Sequence, residues 1–483
     1  MDFDREQMRR WILQQIGLGP RRAGSPAGRT NEDLLMATLG SLGLERVRRE
    51  PIPVVHSKAE RWGLEVGAND EKLSLKGFPI PFTAFTPDTG VSGRLVFADR
   101  HKLFQRGDWR GAIVVAEIGF PELDVAMLLK IASGVHDPDD SLAEVKHPAT
   151  WVRLGWHLYH LAARKGAAGF VGVLVDQPGG SAEMYAPYGF READILDKPL
   201  PGLWIGRAEG AALIEAARAG AAAKLTLTGK REEALTHNLV AEVPGQSGET
   251  IVLSCHHDAP FVSPVEDASG VAVVLALAGH FAKSRDLKRR LVILLSAGHF
   301  YGSIGTRTFI EKHREDLLPD VVLEISIEHI AREAIENKRG TLVDSGKPEA
   351  TGVFVPFNRA VTDAVMQAMA SRELSRVVAL PAEGPLGDYP PTDGGDWWEA
   401  GVPVINCISN PVYLLTNDDN IRWVDEERLT RMAAAFADIL RKVDAMPREE
   451  IAKVDSKTRR LFMKALKVFS RAKTTAFGLK PVY

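Results

Sequence analysis

The stretch that decides the fold is Glu249–Gly270, which reads ETIVLSCHHDAPFVSPVEDASG. An apolar, β-rich run ends abruptly at His256-His257-Asp258, and Glu266-Asp267 follows ten residues beyond His256. A long apolar helix is predicted to begin at Ser269. Imidazoles and carboxylates at the exit of a buried strand are typical of a metal or ligand site in an α/β protein.

From Asn238 onward, predicted strands alternate with predicted helices, which is the pattern of a doubly wound α/β fold with a mostly parallel central sheet and flanking helices. The predicted strands are Leu239–Val243, Ile251–Cys255, Leu291–Leu295, Val321–Ile327 and Val402–Cys407. The predicted helices between and after them are Ser269–Lys283, Gly302–Glu315, Arg359–Ser371 and Asp425–Val443.

Size and composition indicate a globular protein of more than one domain. The chain has 483 residues, of which 45% are hydrophobic and 25% charged, enough for a large core. A formal net charge of −3 gives no electrostatic reason to expect nucleic acid as a partner. Two cysteines, both in apolar strand-like runs, exclude a disulfide framework. Without a leader-like start or a long uninterrupted apolar run, we expect a cytoplasmic protein with no membrane partner.

Several motifs in chain order resemble metallopeptidase family 28, the co-catalytic zinc aminopeptidases. The segment Gly19–Pro26 (GPRRAGSP) is similar to the lead-in of that family, and His237–Gly245 (HNLVAEVPG) is similar to its first sheet strand. Residues from about 88 to 232 are similar to the protease-associated domain that these enzymes often carry as a β-rich insertion. The resemblance implies a zinc-aminopeptidase-like fold and hydrolytic activity.

The resemblance also suggests a domain division. Residues 1–60 are predicted to form N-terminal helices that pack on the catalytic domain, and residues 61–232 the inserted protease-associated-like domain. Residues 233–445 would form the catalytic α/β domain. Residues 446–483 are a basic helical tail, which we interpret either as a docking helix against self or another subunit, or as a solvated terminal helix.

Four positions match the metal-binding pattern of the family or replace one carboxylate by another. The resemblance implies that His256 is the first metal ligand and that Asp258 is the carboxylate that orients it. Glu266 stands where the bridging aspartate belongs, and Glu328 stands at the second aspartate. In both cases the side chain is one methylene longer and the charge is kept.

Three positions depart from the family pattern. His299 stands where the general-base glutamate is expected, Phe300 stands at a ligand position, and Leu415 stands where the last histidine should be. No histidine follows His329 in the chain, so a small shift of alignment cannot supply that ligand.

Charge balance favours one metal ion over two. The two carboxylates Glu266 and Glu328 neutralise one divalent cation, since Phe300 has removed a third. We therefore predict a rebuilt mononuclear site of His256, Glu266, His299 and Glu328 with an open position. Such a donor set suits zinc, and also Fe(II) or Mn(II). Alternatively, His299 is a core or helix-capping histidine, and Glu328 pairs with Arg332 one helical turn later.

The source of proton transfer stays open at this point. If His299 is a ligand it cannot also be the base, which leaves His257, His329, Asp267 and Asp393 as candidates, with Asp258 beside the first ligand. If the strand continues past Ile327, His329 should point away from Glu328, which makes it a weak candidate.

The leading hypothesis is a metal-dependent hydrolase that cleaves an amide, peptide or related C–N bond of a small molecule or short peptide. One alternative is a non-catalytic binding member of the aminopeptidase superfamily. Another is a non-hydrolytic metal enzyme, such as a lyase or an isomerase. We also expect a homo-oligomer.

Overall fold

The computed structural model describes residues 2–67, 73–102, 104–186, 198–384, 386–455 and 457–465. The N-terminal segment forms helices α1 (Arg5–Ile16) and α2 (Pro26–Ser41), followed by the long strand β1 (Glu45–Val66). The α1 helix begins after Asp4, whose side chain accepts a hydrogen bond from Gln7 N, and α2 after Ser25, whose hydroxyl accepts one from Gly28 N. The α1 helix packs on two helices of the main domain, α6 and α10, whose bounds are given below.

The middle of the chain contains short strands, three helices and a group of parallel strands. Its elements are β2 (Leu73–Leu75), β3 (Phe78–Pro79), β4 (Val91–Ala98), β5 (Ile113–Ile118), β6 (Glu122–Asp124), α3 (Val125–Leu129), β7 (Gly134–His136), β8 (Lys146–Pro148), α4 (His157–Arg164), β9 (Gly169–Leu174), β10 (Gly202–Gly206) and α5 (Arg207–Arg218). Strands β4, β5, β9 and β10 pair in parallel, and α5 packs against them.

The remaining elements form the main α/β domain. They are β11 (Ala222–Val243), β12 (Thr250–His256), α6 (Ser269–Ser284), β13 (Arg290–Ser296), α7 (Ile304–Lys312), β14 (Val321–Ile327), β15 (Arg332–Glu336), β16 (Leu342–Pro348), β17 (Thr351–Val355), α8 (Arg359–Ser371), β18 (Val377–Pro381), α9 (Gly394–Glu399), β19 (Val404–Ser409), α10 (Glu426–Asp444) and α11 (Arg448–Ile451).

One continuous sheet links both parts of the chain. Its order is β3-β10-β9-β5-β4-β11-β13-β12-β14-β19-β17-β18-β7, and β1 pairs with β11. Strands β13, β12, β14 and β19 are mutually parallel neighbours, so their carboxyl ends meet at one edge. Helices α6, α8 and α10 pack together, and α7 contacts α9. The predicted doubly wound α/β fold is confirmed.

Two long strands carry the chain into and out of the middle region. β1 and β11 are each 22 residues long and pair antiparallel, with Lys58 opposite Lys230 and Ala59 opposite Gly229. The predicted domain boundaries at 60/61 and 232/233 therefore fall inside this ladder, near facing positions. The predicted strand Leu239–Val243 is the C-terminal end of β11, which begins at Ala222.

Helix α6 is apolar on all sides because it lies in the core. Within the part of the chain that the structure describes, one helix, Pro264–Ser284, is long and apolar enough to cross a membrane. Of its most apolar 18-residue window, 89% is buried inside the protein, as in the core helix of a globular domain.

The C-terminal segment contacts its own chain as far as it is described. Residues 457–465 are helical, and Arg459 donates to the carbonyl oxygens of Ile131 and Ala132 at 2.8 and 2.9 Å. Met463 is buried, whereas Leu461 and Phe462 on the same helix are exposed. The rest of the predicted docking helix, from residue 466, lies outside the described residues.

Candidate metal centre

The predicted ligands lie at the carboxyl edge of the parallel strands. His256 is the last residue of β12, Glu328 follows the last residue of β14, and His299 lies three residues beyond β13. Glu266 reaches the same edge on the segment that leads into α6. All four side chains are buried, with at most 4% of any residue exposed.

His256 is held through one ring nitrogen and presents the other to the carboxylates. Its Nδ1 lies 3.0 Å from the backbone oxygen of Asp258, so Nδ1–H donates to that carbonyl. Its Nε2 lies 3.4 Å from Glu266 Oε1 and has no hydrogen-bond partner. The backbone carbonyl of Asp258 therefore orients the ring, whereas its carboxylate, which was predicted to do so, is 3.7 Å away. That carboxylate accepts the N–H of His299 at 3.1 Å instead.

Two aspartates fix the segment that carries Glu266. Asp419 accepts hydrogen bonds from the backbone N–H groups of Val265 and Glu266, at 3.2 and 3.0 Å. Asp267 accepts from the N–H groups of Gly270 and His329 and from the thiol of Cys255, each at 3.1 Å. Asp267 thus links the ends of β12 and β14 to the start of α6.

His329 points into the site, contrary to the prediction that it should face away. Strand β14 ends at Ile327, and His329 has a left-handed backbone with φ of 57°, so strand alternation no longer sets its direction. Its Nδ1 donates to the backbone oxygen of Ser409 at 2.8 Å. Its Nε2 lies 2.7 Å from Glu266 Oε2 and 3.7 Å from Glu328 Oε2.

His299 is stacked on His256 and bound to a buried aspartate. The two imidazole rings lie 4.1 Å apart at an angle of 12°. Asp393 Oδ1 lies 2.9 Å from His299 Nδ1, and the same carboxylate accepts hydrogen bonds from three hydroxyl groups. Those hydroxyls belong to Ser296, Ser303 and Thr306. Both oxygens of Asp393 are therefore engaged, and the carboxylate is placed to hold His299 in position.

His257, a candidate base, faces another part of the fold. Its Nε2 lies 2.9 Å from the backbone oxygen of His237, on strand β11, which β13 separates from β12 in the sheet. Successive residues at a strand end project to opposite faces, which separates His257 from His256. Neither of the two groups of potential metal ligands found among the described residues contains it.

The charges in this cluster shift each other's pKa. Burial raises the pKa of Glu266, but the imidazoles of His329 and His256 outweigh burial and hold it well below its ordinary range. Burial raises the pKa of Glu328 to about 7, against the opposing effect of His329. Burial disfavours charge on His329, but Glu266 prevails and raises its pKa to about 10. The pKa of His256 likewise lies well above its ordinary value, because Asp258 and Glu266 outweigh its burial. The metal-free cluster thus consists of buried imidazolium–carboxylate pairs.

The four predicted ligands divide between two groups that share His256. One group is His256, Asp267, Glu328 and His329, and the other is His256, Glu266 and His299. Within each group the potential ligand atoms lie within 4.8 Å of one another. His329, predicted from the sequence only as a weak candidate for proton transfer, is therefore also a potential metal ligand. The turn at Glu328-His329 directs the His329 side chain into the site, and no local sequence motif predicts that turn.

The donor atoms that remain fit a cation. Nε2 of His256 and both carboxylate oxygens of Glu328 are buried without a hydrogen-bond partner, and Nε2 of His329 and Oε2 of Glu266 face each other at 2.7 Å. Buried polar atoms are rarely left without partners, and imidazole nitrogens with carboxylate oxygens are ordinary zinc ligands.

An aromatic group covers one side of the cluster. The ring of Phe300 lies 5.9 Å edge-to-face from His256 and 5.6 Å edge-to-face from Tyr185. Tyr185 N donates to the backbone oxygen of Leu415 at 2.8 Å. The two positions at which the family pattern expects further ligands are thus buried and apolar, with Phe300 1% and Leu415 3% exposed.

Comparison with known proteins shows which family the α/β domain resembles. Residues 238–440 match the family model described as Peptidase family M28. Leucine aminopeptidase 1 of the fungus Metarhizium robertsii is 27% identical over 137 residues, which are 26% of this chain. The match spans about a third (33%) of that relative's length.

Three solved structures share the fold over nearly the whole chain. An aminopeptidase from Aneurinibacillus sp. strain AM-1 has a TM-score of 0.60 at 19% identity, covering 91% of this chain and 93% of its own. BSAP, a zinc aminopeptidase from Bacillus subtilis, has a TM-score of 0.67 at 16% identity, covering 93% and 98%. A peptidase M28 precursor from Shewanella amazonensis SB2B has a TM-score of 0.66 at 17% identity, covering 94% and 99%. The α/β domain of the chain thus matches peptidase family M28 over residues 238–440, and nearly the whole chain shares the fold of these three structures.

Proposed function

We propose that this protein is a metal-dependent peptide hydrolase that works with a single divalent cation, for which zinc is the best fit. The observation that carries the proposal is the convergence of buried imidazole and carboxylate groups at the carboxyl edge of the sheet, where donor atoms of His256 and Glu328 have no hydrogen-bond partner. The match of residues 238–440 to the Peptidase family M28 model supports hydrolysis of a peptide or related C–N bond. BSAP, which shares the fold, is a zinc aminopeptidase.

The cation would be held by His256, Glu266, Glu328 and His329. This set takes the two carboxylates predicted from the sequence and replaces His299 by His329, whose Nε2 lies 2.7 Å from Glu266. Two carboxylates and two neutral imidazoles balance one divalent charge. Phe300 and Leu415 offer no donor for a second ion. Fe(II) or Mn(II) suits the same ligands.

A cation bound here would supply Lewis-acid chemistry, by polarising a carbonyl group and lowering the pKa of a bound water. His299 is placed to move the proton, because it stacks on His256 without belonging to the proposed ligand set. Since Nδ1 is bound to Asp393, the exchange of a proton takes place at Nε2. Asp393 is then a positioning residue rather than the base.

The proposed substrate is a short peptide or a small-molecule amide. The cluster is almost fully buried, and Tyr185 and the neighbouring Met184 pair with the Leu415-Thr416 segment beside it. A small substrate fits such a site better than a folded protein.

A second candidate is a non-catalytic, binding member of the family. It is favoured by the short contact between His329 and Glu266, because an imidazolium–carboxylate pair can satisfy buried charges without any metal. The two functions differ in metal content: the hydrolase requires about one equivalent per chain, and the binding protein requires none.

The proposal is tested on protein purified without chelator, reconstituted with zinc and assayed against short peptides and aminoacyl amides. His256→Ala should abolish both metal binding and C–N cleavage. His280→Ala is the matched control, because His280 lies within α6 and contacts Phe3 and Arg441 instead. Turnover that survives His256→Ala would contradict the proposal. A product formed without C–N cleavage would point to a lyase or an isomerase.

A further inference from the structure

The guanidinium of Arg21 is buried against the segment that leads to Glu266. Arg21 lies between α1 and α2, and only 1% of the residue is exposed. Its Nη1 donates to the backbone oxygen of Val262 at 2.7 Å, and its Nη2 donates to that of Ser263 at 3.1 Å. Such charge-assisted bonds from a planar fork are among the strongest that a side chain makes to a backbone.

These contacts fall on the loop that joins two proposed ligands. Residues 257–265 connect His256 at the end of β12 with Glu266. Arg21 binds both ends of this loop, because its own backbone oxygen accepts the N–H of Ala259 at 3.2 Å. Ser263 has φ of 42°, a left-handed conformation that a residue with a side chain rarely adopts without support.

Charge explains why an arginine is tolerated in this buried place. Burial lowers the pKa of Arg21 to about 10, and the carboxyl groups of Asp419, Asp258 and Asp267 oppose this shift, so the guanidinium stays charged at neutral pH. Asp419 holds the other side of the same segment by accepting the N–H groups of Val265 and Glu266. Residues 262–266 are therefore held by hydrogen bonds on both sides: Arg21 binds their carbonyl groups, and Asp419 binds their amide groups.

We propose that Arg21 is a positioning residue for the metal centre: it fixes the loop between His256 and Glu266 in the conformation that brings both side chains to one ion. The metal-binding part of this inference rests on the proposed function, whereas the fixing of the loop does not. Residues that orient ligands in this indirect way typically change metal affinity by about 10- to 100-fold.

The test compares Arg21→Met with Arg289→Met. Arg289 is a matched control, since it is also a buried guanidinium that donates to backbone carbonyl groups, those of Val443, Asp444 and Met446. It directly precedes β13, at the edge of the sheet opposite the metal centre. Arg21→Lys is the conservative variant, because it keeps the charge but loses the fork.

Two measurements are made on each full-length variant. Zinc affinity is measured by chelator competition, and amide hydrogen exchange is followed by mass spectrometry over residues 257–266. We expect Arg21→Met to bind zinc at least about 10-fold more weakly and to exchange faster across this loop. We expect Arg289→Met to change neither by more than about twofold, and Arg21→Lys to fall between them.

The outcomes separate this inference from the proposed function. If the unmodified protein binds no zinc, the proposed function fails, and hydrogen exchange alone decides whether Arg21 fixes the loop. Unchanged exchange over residues 257–266 in folded Arg21→Met, or in Arg21→Lys should Arg21→Met not fold, would overturn the inference. It would also be overturned if Arg289→Met weakened zinc binding as much as Arg21→Met does.

Discussion

Raising the pH should strongly increase the affinity for metal, because the ligands of the metal-free site are protonated. The pKa of His329 is raised to about 10 and that of His256 also lies well above its ordinary value, so both rings are imidazolium at neutral pH. A metal ion binds only the neutral ring. Glu266 is already ionised at this pH, since its pKa is held below the ordinary range. Each bound cation must therefore displace one proton from each of two imidazoles.

The size of the effect follows from that count. Release of two protons makes the apparent dissociation constant fall about 100-fold per pH unit, or ~2.7 kcal/mol, while both rings remain protonated in the metal-free protein. Below about pH 7, Glu328, whose pKa is raised to about 7 by burial, adds a third proton to the exchange. The slope should therefore be steepest in mildly acidic solution and flatten toward pH 10.

Isothermal titration calorimetry gives the count directly. Zinc is titrated into chelator-treated protein at pH 7.5 in buffers of different ionisation enthalpy, and the dependence of the heat on the buffer reports the protons released. We expect about two. Release of fewer than about half a proton with intact zinc binding would refute the argument, because the ligands would then have been neutral beforehand. His280→Ala serves as the control, as His280 lies outside the cluster.

Three further predictions follow from the same contacts. His329→Gln should weaken zinc binding, whereas His299→Gln should retain zinc and lose about 10²- to 10⁴-fold in turnover; equal loss of zinc in both variants would make His299 a ligand. In chelator, the contribution of His329 to stability should be fully present below about pH 6.5 and should be lost as the pH rises toward 10, by at most roughly 5 kcal/mol. The reason is that folding raises the pKa of His329. Equal midpoints of urea unfolding at pH 6.5 and pH 9.5 would argue against this contribution. Phe300→Ala should lower the free energy of unfolding by about 3–5 kcal/mol because the ring is 1% exposed, and a loss below about 1 kcal/mol would show that the ring does not close the site.

Most of the main sheet could be predicted from hydrophobic pattern, because its central strands are buried on both faces. Val321–Ile327 has the predicted bounds, and the helix predicted at Ser269–Lys283 ends one residue later. Strands β17 and β18 were missed, since neither adjoins a motif of the kind that marks the predicted strands. The continuity of β11 was also missed, because its polar middle resembles a linker in sequence although it pairs with β1.

The site could be predicted only as far as local motifs carry information. His256, Glu266 and Glu328 could be placed because each stands at a strand exit or beside a recognisable segment. His329 could not, because its direction depends on a left-handed residue and on a hydrogen bond from its N–H to Asp267, 62 residues away in the chain. The pairing of His299 with Asp393 likewise joins residues 94 positions apart.

The most direct test of the central claim is anomalous diffraction at the zinc edge from crystals of the zinc-loaded protein. We predict one anomalous peak per chain, bonded to His256, Glu266, Glu328 and His329, with His299 beside it and still paired with Asp393. Two peaks, no peak, or a single peak bonded to His299 in place of His329 would contradict the account.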